Sequence, residues 1–215
     1  FNGNANVIVT HSVNVQTTGS LTFRSGTNLL QVENDQNSGT VTIEREGGEL
    51  KRLDYTIWTS PVVDNRTSGF QTLQQFSPLT SAGRFYSYNT NSGTAGLYGS
   101  VDEASTKFAL GKGYLIRMPN SSTVSGYNTG ETRIAYLGSF QGTPNNGTIR
   151  LGLTYTDANH SYNAIGNPYA SPMSISDFLT ANSESIEGTI WIWRKNNDRT
   201  QTSYSCLLYT SPSPR

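Results

Sequence analysis

The sequence predicts an all-β protein carrying one short helix, and three observations point there. Charged residues make up only 14% of the chain, against about 25% in typical globular domains. Gly, Ser, Thr and Asn fill the difference, and these residues serve turns and, for Thr, exposed strand faces. Short apolar alternations also recur between polar turns, which is the pattern of successive short strands.

The first 50 residues are expected to form a β-solenoid-like or meander lead-in. Val7-Ile8-Val9, Val13-Asn14-Val15, Leu21-Thr22-Phe23, Leu29-Leu30-Gln31-Val32 and Val41-Thr42-Ile43 start about eight residues apart, broken by turns such as Thr18-Gly19-Ser20 and Ser25-Gly26-Thr27. So few rungs cannot bury a core alone, so they are expected to pack on the next domain or extend upstream. Glu44–Leu53 reads as a charged hairpin with Gly47-Gly48 at its tip, a domain linker being the alternative. Asp54–Val62 reads as a strand closed by Ser60-Pro61. Further strands are expected at Arg84–Tyr88, Gly111–Arg117 and Ile134–Phe140, with Asn89–Ser100 a polar loop and Gly142–Gly147 a tight turn. Gly166 and Pro168 force a corner, through backbone freedom and a fixed φ respectively. Ser174 or Ser176 can cap a short helix near 174–181, with Asp177 three residues after Ser174 as in a capping box. Ile190–Trp193 then alternates, which would place Trp191 and Trp193 on one face.

Several pieces together carry a resemblance. Arg52–Val62 (RLDYTIWTSPV), Gly111-Lys112-Gly113-Tyr114, Thr143–Gly147 (TPNNG) and Ile165–Tyr169 (IGNPY) occur in order over Arg52 to about Asn197. The stretch resembles a β module of secreted and surface proteins of Bacteroidota that use the type IX secretion system. The resemblance implies an antiparallel, jelly-roll-like β-sandwich at 51–205, an extracellular or outer-surface location, and an interaction or scaffold role. The phrase GSLTFRSGTNLLQV resembles the parallel β-helix rungs that often precede that module. Cys206–Arg215 (CLLYTSPSPR) resembles one reading frame of a transposase-based sequencing adapter, with a genuine polar tail as the alternative. On the adapter reading, 206–215 is left out of the fold and both ends of the chain are cut.

Composition excludes several function classes. Fifteen basic residues balance fifteen acidic ones and no basic patch stands out, so nucleic acid is not an expected partner. No apolar run of about 18 residues exists, so no membrane span is expected. Cys206 is the only cysteine, so residues 1–205 hold no disulfide, thiolate metal site or cysteine nucleophile.

The chemistry-bearing residues form no recognised catalytic motif. His11 and His160 lack an HExxH context and read as surface histidines. A glycosidase needs two carboxyl groups, and Asp54, Asp64, Asp102, Glu103, Asp157 and Asp177 supply acids that any β protein would contain. Gly111-Lys112-Gly113 lacks the phosphate-loop spacing and reads as a strand-entry turn. No GxSxG or Ser-His-Asp pattern appears. Asp157-Ala158-Asn159 and Asn196-Asn197-Asp198 offer the oxygen ligands calcium prefers, yet Asx-turn chemistry accounts for both. No cofactor is expected, calcium being the one alternative. Sequons at Asn65, Asn120, Asn146 and Asn159 are expected by chance in an Asn-rich chain.

The aromatics give the one positive binding signal, with 12 Tyr and 3 Trp. Their rings stack on sugars and favour interfaces. Trp58 and Trp191 are assigned to the core. Trp193, Tyr169 and Tyr114 are the candidate sugar-stacking residues. The leading expectation is a non-catalytic structural or adhesive module of a larger exported protein, with extracellular glycans or other surface proteins as partners. The alternatives are a carbohydrate-binding accessory module of a polysaccharide-active enzyme, and a piece of an enzyme whose active site lies elsewhere in the gene.

Overall fold

The computed structural model describes residues 1, 3–63 and 71–193, and the backbone of 204–208. Among the described residues strand far outweighs helix, with two short helices, as in an all-β chain. It divides into two compact units, Phe1–Ser171 and Pro172–Arg215.

The lead-in coils. β1 (Asn6–Val9), β2 (Thr22–Phe23), β3 (Asn28–Gln31) and β4 (Val41–Glu46) pair in parallel, β1 with β3 and β2 with β4. A parallel bridge joins Asn14 to Ser38 between them. Asn6 meets Asn28, Asn14 meets Ser38 and Thr22 meets Thr42, so one turn of the coil takes 20–24 residues. The short runs spaced about eight apart are therefore three sides of one rung. Polar side chains stack on the same register: Asn28 Nδ2 donates to Asn6 Oδ1 at 3.0 Å, and Ser38 Oγ to Asn14 Oδ1 at 2.7 Å.

The remainder of the first unit is a sandwich. Its elements are β5 (Tyr55–Trp58), β6 (Val62–Val63), α1 (Leu73–Phe76), β7 (Phe85–Asn89), β8 (Leu97–Ser100), β9 (Tyr114–Arg117) and β10 (Leu137–Pro144). One sheet runs β2-β4-β10-β6 and the other, wholly antiparallel, β5-β9-β7-β8. The coil thus enters the first sheet directly. β10 alternates exposed or half-buried residues with buried ones, which sends Phe140 inward beside Val41 and Ile43 of β4. Phe76 of α1 lies between the sheets. Its ring is 4.8 Å from Phe140, 5.0 Å from Trp58, 5.2 Å from Phe108 and 5.8 Å from Tyr136. Aromatic pairs at this spacing add to the area term, and each buried ring contributes about 1.5–3 kcal/mol by burial alone. Gly138 is needed under this cluster, because a Cβ there would sit 2.7 Å from the Phe76 ring and 2.9 Å from Trp58. α1 is held by a capping box between Thr72 and Gln75.

Asn37 seals the coil to the sandwich. Only 6% exposed, it accepts from Val13 N at 2.7 Å and Gln31 Nε2 at 2.8 Å, and donates to Gln31 Oε1 at 2.8 Å and Pro144 O at 2.9 Å.

The Glu44–Leu53 hairpin does not form. β4 pairs instead with β10, Glu46 facing Leu137, and Leu50 bridges Ile134 further along. The long-range pairing wins because it keeps Val41 and Ile43 on the buried face.

In the second unit, α2 (Ile175–Ala181) starts at Ser174, whose side chain accepts from Asp177 N. This is the expected helix and cap. β11 (Thr189–Trp193) pairs antiparallel with β12 (Tyr204–Leu208), so backbone from Cys206 to Leu208 belongs to a ladder. Trp191 is 50% exposed rather than core, and Trp193 is half-buried, so the two do not share one environment.

Candidate functional site

Strand parity builds a tyrosine face. In β7, Phe85 is buried in the core, which turns Tyr86 and Tyr88 to the opposite, outer side. In β9, Tyr114 and Ile116 belong to the core, which turns Leu115 and Arg117 outward. Trp58 fixes β5 the same way, leaving Tyr55 and Ile57 outside. The register aligns these into rows: Tyr55 faces Arg117, Ile57 faces Leu115, Leu115 faces Tyr86, and Tyr88 faces Tyr98 of β8. Arg84, just before β7, extends the first row, since Arg117 N donates to its carbonyl.

Two tyrosines close over the central strand. Tyr55 and Tyr86 sit two strands apart, yet their rings are 5.8 Å apart in an edge contact. Leu115 and Arg117, on the strand between, are 8% and 9% exposed. Tyr88 and Tyr98 form a second edge pair at 5.2 Å. Burial raises the Tyr55 hydroxyl above its ordinary pKa, a hydrogen bond with Tyr86 adds to this, and Arg84 and Arg117 oppose it. Arg84 is held charged, chiefly by the Tyr86 hydroxyl beside its guanidinium. Arg117 Nη2 and Arg52 Nη1 share one neutral acceptor, Asn120 Oδ1, at 3.3 and 3.2 Å. The Nε of each is buried without a hydrogen-bond partner.

The residues expected from the sequence are scattered. Tyr114 is 3% exposed, its ring packed 5.5 Å from Phe108 and its hydroxyl donating to Lys107 O, so it offers no open stacking face. Tyr169 is half-buried and its hydroxyl donates to Gly147 O at 2.7 Å. Trp193 lies in the second unit, in register with Tyr204. The structure brings no two of these three together within one unit as a platform.

Both histidines have an aspartate partner, 24 residues away for His11 and three for His160. His11 Nδ1 lies 3.0 Å from Asp35 Oδ2, one coil turn away. His160 Nδ1 lies 2.9 Å from Asp157 Oδ2, and its Nε2 is 3.1 Å from Gly93 O. Gly93 O and Asp157 raise the imidazole pKa, and His160 lowers that of Asp157. Asp54 and Asp102 serve local turns. Asp54 accepts from Lys51 N, and Asp102 from Ala104 N and Ser105 Oγ. Glu103 accepts from Gly83 N at 3.4 Å, and Asp177 sits in the first turn of α2. Asp157 Oδ1 also accepts from Asn159 N, an Asx turn. Asp64, Asn65 and Asn196–Asp198 lie outside the described residues. Among the described residues no three His, Cys, Asp or Glu side chains group as a metal cage.

The motifs meet one another. Gly113 N donates to Ala164 O at 3.1 Å and Gly166 N to Gly111 O at 2.9 Å, joining GKGY to IGNPY. Asn145 Nδ2 donates to Pro168 O at 2.8 Å and Tyr169 Oη to Gly147 O, joining TPNNG to IGNPY. Asn145 N donates to Pro61 O at 3.1 Å, adding the Ser-Pro turn. A Cβ on Gly166 would collide with Thr59 Oγ1, so only glycine fits this seam.

One family, described as a domain of unknown function (DUF8693), matches residues 1–212. The chain belongs to the DUF8693 family. No curated protein and no solved structure matches it. The DUF8693 match takes in the coil and the sandwich alike, and runs seven residues into Cys206–Arg215. Within this DUF8693 chain the tyrosine face offers ring surfaces, phenolic hydroxyls and guanidinium donors.

Proposed function

We propose that the chain is a non-catalytic β module of a larger secreted or cell-surface bacterial protein, serving to space and attach its parts outside the cell. The observation that supports this best is the seam: motif residues from four segments are committed to hydrogen bonds with one another. Residues used in this way stiffen a scaffold. The low charge, the turn-rich composition and the absence of cysteine before Cys206 fit an exported β protein. A panel of polysaccharides assayed for release of reducing ends tests the non-catalytic claim. No release is expected, and release abolished by one change among Asp54, Asp102, Glu103, Asp157 and Asp177 would overturn it.

A carbohydrate-binding accessory role is the second reading, favoured by the tyrosine face. Reading the gene across both ends separates the two. A sorting domain with no catalytic neighbour supports the scaffold, and an adjoining hydrolase domain puts sugar binding first.

A further inference from the structure

We propose that the outer face of the β5-β9-β7-β8 sheet binds an acidic polysaccharide, a chain of uronic-acid type. A sugar carboxylate would sit on Arg84 and ring faces on Tyr86 and Tyr55. This deepens the sugar-binding reading and rests on it.

Charge complementarity selects an acidic ligand. Arg52, Arg84 and Arg117 gather at one end of the face, linked through Asn120 and through the Arg117 N–Arg84 O bond. Arg84 and Arg117 both act on the Tyr55 hydroxyl. Arg52 and Arg117 also act on the Tyr127 hydroxyl, with the buried Asp54 beside them. Arg52 and Arg117 share one neutral amide oxygen, Asn120 Oδ1, which offsets neither charge. Arg84 is exposed, with the Tyr86 and Tyr55 hydroxyls beside it. A guanidinium fork fits a carboxylate with two parallel bonds.

The aromatic groups select a sugar chain over a lone anion. Tyr86 and Tyr88 stand two residues apart on β7, about 6.8 Å along the strand, and continue to Tyr98 across the register. A row of rings running away from a cationic end suits an extended polymer whose rings stack and whose acids pair.

The test uses the full chain against polygalacturonate, dextran and single-stranded DNA, by affinity electrophoresis and calorimetry at two salt concentrations. Salt-sensitive binding to polygalacturonate is expected, with weaker binding to dextran and to DNA. Arg84→Gln should weaken polygalacturonate binding by at least about tenfold, leaving dextran binding and melting temperature unchanged. Tyr86→Ala should weaken binding to both sugars. Equal binding to polygalacturonate and dextran, indifferent to Arg84→Gln, would overturn the acidic-ligand claim while leaving sugar binding standing. DNA bound as tightly as polygalacturonate would overturn recognition of sugar. No binding to either polysaccharide would overturn the claim and the sugar-binding reading together.

Discussion

Asn37→Ala should loosen the coil from the sandwich, and the cost follows from the bonds it removes. The side chain makes four hydrogen bonds, two to backbone groups 24 and 107 residues away in sequence, Val13 N and Pro144 O, and two to Gln31. Alanine strands the Val13 N–H and the Pro144 carbonyl. Each orphaned buried group costs about 1–3 kcal/mol. Val13 is half-buried, so water reaches part of the gap, and the expected loss is about 3 kcal/mol. That is a large share of the roughly 5–15 kcal/mol that holds a domain folded. Urea unfolding followed by the fluorescence of Trp58, which lies in the core, reports it. With a slope of about 2 kcal/mol/M, the midpoint should fall by about 1.5 M. A second transition at lower urea would mean that the coil melts separately once Asn37 is gone. A midpoint shift equivalent to less than about 0.5 kcal/mol, a typical surface value, would refute the claim that this side chain joins the two parts.

Gly138→Ala should destabilise by about 1–3 kcal/mol in the same assay, because the new methyl meets the Phe76 and Trp58 rings and core overpacking costs that much. Tyr114→Ala should cost about 3–5 kcal/mol, as a buried aromatic does, and a stable variant would show that the ring is not core. His160 gains partners on folding, so its contribution is full below pH 6.5 and fades as pH rises through its raised value. The melting-temperature advantage of the wild type over His160→Gln should therefore shrink as pH rises above 6.5, and a constant difference would contradict the His160–Asp157 pairing. Excess EDTA should leave the melting temperature unchanged, since Asp157 already bonds Asn159 N and His160, and a clear drop would revive calcium.

Local signals were readable where the cause is local. The Ser174 cap, the short helix after it and the strands at Tyr55, Phe85 and Tyr114 follow from caps and alternation within a few residues. The eight-residue spacing was legible as short strands, but its closure into a 20–24-residue turn depends on pairing between rungs. The charged hairpin failed because β10, some ninety residues later, offered β4 a better partner. β8 lay inside a segment that reads as a polar loop, where Gly93 and Gly96 at φ +67° and +80° allow the return. His11–Asp35 was invisible for the same reason as the coil, which is what brings the two together.

The choice of binding residues failed on parity rather than on chemistry. Aromatic type and nearness to polar loops singled out Tyr114, Tyr169 and Trp193, but neither tells which side of a sheet a ring takes. Phe85 was the available signal. Once a phenylalanine commits β7 to the core, Tyr86 and Tyr88 must face out, whatever the loops beside them do. The same step along β9 sends Tyr114 inward and Arg117 outward, beneath Tyr55 and Tyr86. One sheet therefore uses tyrosine for two ends. Inside, Tyr114 closes the aromatic cluster around Phe108. Outside, Tyr55 and Tyr86 meet over the strand that carries Arg117, whose Nη2 reaches the Asn120 amide oxygen, and parity alone decides which of these two roles each tyrosine takes.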